Sequence, residues 1–552
     1  MNHPSTAPPP AWGTSEKWLL GLLLLFLALR LIYALQGYPP SVTSIDELVY
    51  TEPAVNYVNS GHFAAPGLAR QLEAKGVPGL DRHYFLNVPL AAYLRVAIFE
   101  AAGTSTAARR LADWLFLLLA AGSLLLMMRR WATPSSALLA ALVFVTNRVA
   151  ESDIGRPDVL ALAFGLLALW WSTQPGVGHE RPGGRAYGAG LLIGLSGMAH
   201  QFGGVFWAVI VITWQISALE SPRHLGRLLV WLTLFGLGGL TASLLWLPQI
   251  LAAPAAWQQQ FSFMLELKHH LSRDFGQLAI RLITLTVGKN PAVPLVIIAG
   301  LLAAGWKRLQ YPRRWKTLAA GGLLLFIWTC RSFEPYTIAY SVHFLAVICL
   351  LFALAFDELK GWAQPRMSPR WAGRLRFAAA AAVIAPGLIM TYIPLAENFG
   401  LPYRATQEKI AGLILQQVQP GDRVLAGSGY YYQVPGHNKS LWFWGEKLDL
   451  RDYNLVVAPY PTAADFPGPD RNIHEQWCQI FTAEQGAAFQ RDFELVASVP
   501  DQWIQTTRYP TGYKPHITGC YIYRNIRPRP AQSGNGAGPA AQAGQQFGLA
   551  LE

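Results

Sequence analysis

"SIDELVYTEP", residues 44–53, follows a long apolar run and sets two acids side by side, Asp46 and Glu47. Locally the pair has two readings. Ser44 and Glu47 form an S-x-x-E capping box, and Asp46 falls in the first turn of the helix that would follow, where unpaired amides favour negative charge. The same carboxylates could instead serve chemistry at the face of a membrane. The choice depends on how the rest of the chain is threaded.

The 552 residues are 52% hydrophobic and only 14% charged, against roughly 25% charged in an average soluble domain. A net charge of +12 would suit nucleic acid if the basic residues shared a surface. They lie instead in short loops between apolar runs: Arg129 and Arg130, Arg181 and Arg185, Arg223 and Arg227, then "WKRLQYPRRWK" (306–316) and "KGWAQPRMSPRWAGRLR" (360–376). That is the pattern of cytoplasmic loops in a multi-pass membrane protein, and it excludes a nucleic-acid partner.

Apolar runs long enough for a hydrocarbon core about 30 Å thick fall near 18–36, 108–128, 133–147, 158–172, 187–199, 203–219, 228–250, 288–305, 317–331, 338–356 and 376–395. The expected fold is an all-α polytopic membrane protein of about eleven transmembrane helices. Residues 1–17 would be cytoplasmic and 18–395 would form the membrane domain, with a large first outer loop at 37–106. Residues 396–526 would form an external α/β domain, followed by a disordered Gly/Ala/Gln/Pro-rich tail at 527–552. The first run has no small-residue cleavage site and reads as an uncleaved anchor. In the external part, "QEKIAGLILQQVQPGDRVLAG" places Ile410, Leu413, Ile414 and Val418 on one helix face ahead of a turn and a strand. "YNLVVAPY", "FELVASV" and "CYIYRNI" read as further strands. Cys478 and Cys520 lie on the oxidising side in this topology and could pair.

Outside the basic loops, the ionisable residues near spans gather at one rim: Arg30, Asp46, Glu47, Arg109, Arg110, Asp113, Arg148, Glu151, Asp153, Arg156, Asp158, His200, Arg331, Glu334 and His343. A transporter would place polar groups near the midplane; an enzyme of the outer leaflet would place them here. "ESDIGRPDVL" (151–160) is the densest group, with Pro157 at a helix start and Asp158 in its first turn. Arg109 and Asp113, spaced i, i+4, read as a helix salt bridge. His200, in "GMAHQFGG", and His343 are candidate ligand-binding histidines, and Arg331 a bidentate phosphate binder. The histidines and cysteines lack metal-ligand spacing, so no metal or other cofactor is expected, although the acids could hold a divalent cation.

ATP and nucleotide sugars are cytoplasmic, and no Walker or dinucleotide glycine motif occurs. A donor on the outer face would arrive attached to a lipid. In combination, "DELVY" (46–50), "YFLNVPLAAYL" (84–94), "STAARRLADWLF" (105–116) and "GRPDVLALAF" (155–164) resemble the GT-C glycosyltransferases, in particular the protein O-mannosyltransferase and lipid A aminoarabinose transferase-like families. The resemblance covers roughly residues 15–350. It implies inverting transfer of one sugar, hexose or pentose, from a polyprenyl phosphate to a protein, lipid or glycan acceptor, at the periplasmic face of a bacterial cytoplasmic membrane. It implies Asp46 as general base and Asp158 in the same cavity; the places of the other residues at the rim add Glu47 beside the base and Arg156, His200, Arg331, His343 and Asn87 as donor or phosphate contacts. Two positions depart from the family: Asn87 stands where F-x-K-P-P has lysine, and His200 where a lysine is also frequent. The rival expectations are an oligosaccharide ligase using a polyprenyl diphosphate and a lipid-glycan flippase.

Overall fold

The first apolar run forms α1 (Thr14–Leu35). The computed structural model describes residues 13–36, 45–73, 76–147, 155–174, 182–217, 225–268, 312–332, 340–368, 403–426, 452–458, 489–499 and 520–527, with scattered positions in 370–388 and 431–441. Among the described residues of 37–106, the regular elements are the helices α2 (Ile45–Ser60), α3 (Pro66–Glu73) and α4 (Leu90–Ala102). Then follow α5 (Thr106–Trp131), α6 (Pro134–Thr146), α7 (Asp158–Ser172), α8 (Pro182–Ala199), α9 (Gln201–Ile216), α10 (Leu225–Ser243), α11 (Leu247–Ala252), α12 (Pro254–Lys268), α13 (Pro312–Ser332) and α14 (Ser341–Ala363).

Among the described residues, four helices are long and apolar enough to cross a membrane: 14–35, 106–131, 225–243 and 341–362. Helices α6, α7 and α9 are apolar but shorter. The expected span at 288–305 lies outside the described residues, as does most of 376–395. The expected run 228–250 is two helices, not one. Pro248 stands in the first turn of α11, where its missing amide is tolerated; inside a continuous helix it would leave a carbonyl unpaired.

The core is one apolar cluster drawn from α1, α5, α6, α7, α9 and α14. Helices α8 and α10 pack backbone to backbone: a Cβ added at Gly190 would lie 1.9 Å from the Phe235 carbonyl oxygen. Such close approach is how helices associate where lipid removes the hydrophobic driving force. A second cluster, with Leu48, Leu68, Leu80, Tyr84, Leu86 and Tyr431, knits α2 and α3 to the following loop. Gln260 of α12 braces that loop. Its Oε1 accepts from the Phe85 amide at 2.7 Å, and its Nε2 donates to the Pro78 and His83 carbonyls, each at 3.1 Å.

Beyond the membrane helices, α15 (Tyr403–Gln417) precedes β1 (Val424–Ala426), β2 (Lys439–Leu441), β3 (Leu455–Ala458), β4 (Phe493–Val499) and β5 (Cys520–Asn525). They form one sheet in the order β2-β1-β3-β5-β4. Strand β1 is parallel to β2 and β3; β5 is antiparallel to β3 and β4. Ile410 and Ile414 of α15 cover one face with Val424, Leu455 and Ile522. Cys520 is a buried free thiol, pushed by that burial up to about 12; Cys478 lies outside the described residues.

Candidate functional site

Helix α2 starts at Ile45, so Asp46 occupies its first turn; the Asp46 side chain lies outside the described residues. Glu47 points inward and is fully buried. Both its oxygens meet the fork of Arg110 on α5, Oε1 to Nη1 at 2.8 Å and Oε2 to Nη2 at 3.1 Å. The bidentate geometry fixes direction as well as distance, and it clamps the start of α2 to α5. Arg110 Nη1 also reaches Asp113 Oδ2 at 3.5 Å, and Arg95 of α4 meets Asp113 Oδ1 at 3.0 Å. The Asp113 pairing expected from the sequence is therefore corrected. Its partners are Arg110 and Arg95, while Arg109 turns to Thr106 Oγ1 at 2.9 Å. Helical spacing could not reveal the arginine that α4 brings from outside α5.

Arg95 is the residue that sequence reasoning missed. It is buried, and it donates to the Gly155 carbonyl at 2.8 Å and the Tyr50 carbonyl at 3.2 Å. It thus ties together α2, α4, α5 and the segment leading into α7. The available signal was an arginine inside the otherwise apolar "LAAYLRVAIFEAA". Gly155 makes the junction possible. Its φ is +80°, and a Cβ there would lie 2.8 Å from the Glu47 Cα. Only a residue without a side chain brings the backbone of the second segment onto the first.

From that junction the chain runs through Arg156 to Asp158, the first residue of α7, with Pro157 at its N-cap. Asp158 is fully buried. Arg156 Nε binds its Oδ2 at 2.9 Å, while Oδ1 faces His200 Nδ1 at 3.4 Å and His343 Nε2 at 3.8 Å. His200 alone separates α8 from α9, in an extended conformation. His343 sits in the first turn of α14, where the Trp207 indole donates to its Nδ1 at 3.1 Å. An indole nitrogen can only donate, so His343 Nδ1 carries the lone pair and Nε2 is the nitrogen turned to Asp158. On the other side of His200, Nε2 lies 3.3 Å from the Tyr50 hydroxyl. The Arg156 guanidinium stands over the Tyr50 ring at 5.5 Å and the Tyr340 ring at 6.0 Å.

The structure therefore gathers Glu47, Arg156, Asp158, His200 and His343 at one end of the helical bundle, with Tyr50 and Tyr340 among them. Asn87 stands apart from the ion pairs and shares a pocket wall with Tyr50. Arg331 lies in the last turn of α13, but its side chain is outside the described residues. So are Arg148, Glu151, Asp153 and Glu334. Among the described residues, no set of three or more His, Cys, Asp or Glu is arranged to hold a metal ion. The centre combines fixed cations, a buried carboxylate, two imidazoles and aromatic faces. These are the groups needed to bind an anion and relay a proton beside it.

No known family profile and no curated protein matches the chain. Among solved structures it is similar to ArnT from Cupriavidus metallidurans bound to undecaprenyl phosphate, at 14% identity and a TM-score of 0.58, over 92% of this chain and 98% of that one. The apo state of the same protein aligns over the same shares at 13% identity and a TM-score of 0.56. The arabinofuranosyltransferase AftD from Mycobacteria aligns over 93% of this chain and 40% of its own, at 12% identity and a TM-score of 0.48. The chain has the fold of ArnT, the GT-C fold of membrane glycosyltransferases.

Proposed function

We propose that this protein is an integral membrane glycosyltransferase that moves one sugar from a polyprenyl phosphate to an acceptor at the outer face of a bacterial cytoplasmic membrane. One observation carries the reading: Gly155 seats the segment bearing Arg156 and Asp158 directly against Glu47, so two distant stretches line one polar centre. The similar ArnT structure bound to undecaprenyl phosphate supports a lipid phosphate as the ligand. The basic short loops support an external site, an external sheet domain and about eleven spans.

In the reaction, the acceptor hydroxyl or amine attacks the anomeric carbon with inversion, and the bond to the phosphate oxygen breaks. Asp46 takes the acceptor proton, and the polyprenyl phosphate leaves with the bonding electrons. Arg156, His200 and Arg331 stabilise the departing phosphate by hydrogen bonds that strengthen as its charge develops, while His343, whose two nitrogens face Trp207 and Asp158, supports them from behind. Asp158 orients Arg156 and the two imidazoles. Glu47, already engaged with Arg110, acts as a positioning residue that sets the direction of α2 and hence of Asp46. No metal or other cofactor enters the scheme.

Purified protein in lipid, given undecaprenyl phosphate loaded with candidate sugars, should release undecaprenyl phosphate. Asp46→Asn should lower turnover by about 10²–10⁴, the usual worth of a placed proton acceptor, with lipid binding retained. An Asp46→Asn enzyme as fast as the parent removes that role. Movement of labelled lipid across vesicles without release removes the reaction class.

A further inference from the structure

Asn87 lines a narrow pocket with Tyr50, Pro53, Phe63, Tyr84 and Gln249, and no charged side chain lines it among the described residues. Its amide orientation follows from its neighbours. The Tyr84 hydroxyl gives its one proton to the Val49 carbonyl at 2.7 Å, and a carbonyl can only accept. Towards Asn87 that hydroxyl is therefore an acceptor, and the Asn87 amide nitrogen donates to it at 2.7 Å. The remaining Asn87 atom, Oδ1, is an acceptor. It is buried and has no hydrogen-bond partner among the described residues. Such an atom, left without a donor, carries a substantial desolvation cost.

An acceptor oxygen repels phosphate, so Oδ1 is unsuited to the phosphate contact that the Asn87 position suggested. A buried ammonium would need a counter-charge, and the pocket wall supplies none. A neutral hydroxyl meets both conditions, since it donates one hydrogen bond and needs no counter-charge. The pocket also adjoins the polar centre, because Tyr50 forms its wall and reaches His200.

We infer that, granted the glycosyltransferase reading above, Asn87 Oδ1 is a specificity contact that accepts a hydrogen bond from one hydroxyl of a neutral sugar. Asn87→Leu keeps the side chain's size and removes the acceptor. The test measures binding in nanodiscs of bare undecaprenyl phosphate, of undecaprenyl phosphate–glucose and its singly deoxygenated forms, and of methyl glucoside and its deoxy forms.

Removing one particular hydroxyl should weaken binding roughly tenfold in the parent and have no effect in Asn87→Leu, with bare lipid bound equally by both. Tyr84→Phe, which frees the amide to turn over, should show part of the same loss. Dependence in the lipid series assigns the hydroxyl to the donor; dependence only in the glucoside series assigns it to the acceptor. Asn87→Leu weakening bare undecaprenyl phosphate as much as the loaded lipid overturns the inference in favour of a phosphate contact. Equal sensitivity of parent and variant to every hydroxyl overturns it in favour of bound water. A parent that binds no polyprenyl lipid overturns the functional reading itself.

Discussion

At the scale of single residues, Gly155 sets how closely the two halves of the centre approach. Two separate effects act there. A side chain at φ +80° is strained by about 1–2 kcal/mol, and its Cβ would collide with Glu47. Gly61 separates these effects, since its φ is +77° and a Cβ there meets nothing within 4 Å. Gly61→Ala should therefore lower stability by about 1 kcal/mol and leave turnover unchanged. Gly155→Ala should lower turnover at least about tenfold, because it pushes Asp158 and Glu47 apart; each tenfold corresponds to about 1.4 kcal/mol. Steady-state kinetics alongside thermal unfolding in detergent checks both. Equal turnover in the two variants would mean that the contact at Gly155 does not set the geometry. In the sequence, Asp158 was readable because Pro157 announces a helix start. Gly155 was not, because its demand comes from a partner more than a hundred residues away.

Elements show the same division. His200 alone separates α8 from α9, a break expected between the apolar runs 187–199 and 203–219. Helix α6 reveals something that periodicity could not. Its start is capped by Asp357 of α14, whose Oδ2 accepts from the Thr133 amide at 2.7 Å and whose Oδ1 accepts from the Thr133 hydroxyl at 2.6 Å. The Ser136 hydroxyl donates to the same oxygen. A cap from a helix 224 residues away satisfies orphan amides as a local Ser or Asp would. Asp357 lies fourteen residues past His343, about 21 Å along α14 at helical rise, at the end remote from the centre. Asp357→Ala should lower stability by about 1–3 kcal/mol and leave turnover per folded molecule unchanged, read by melting temperature against specific activity. Altered turnover would show that the cap communicates with the chemistry.

Across the whole molecule, the sheet-bearing part meets the helical part through Tyr431. Its hydroxyl donates to Glu52 Oε1 of α2, which also accepts from the Gly67 amide at 2.9 Å. The tyrosine is buried against the α3 backbone, leaving no room for a Cβ at Gly67. Glu52 is six residues beyond Asp46 on the same helix, so this contact helps fix the acid-bearing end of α2. Tyr431→Phe keeps the packing and removes one hydrogen bond to a carboxylate, worth about 1.5–3 kcal/mol. It should lower turnover while sparing affinity for undecaprenyl phosphate, which the proposed function assigns to Arg156 and His200. Lowered affinity with unchanged turnover would contradict that placement. That the chain is helical, with segments apolar enough to cross a membrane, was legible in composition. This contact was not, since its partners are 379 residues apart.

That separation has a bearing on biogenesis. Ribosomes make Glu52 early and Tyr431 only after the helical bundle has been synthesised, so the first part of the chain waits on the last for its final geometry. A nascent protein interrupted before residue 431 would carry α2 with Glu52 in place and lack the tyrosine hydroxyl that fastens it.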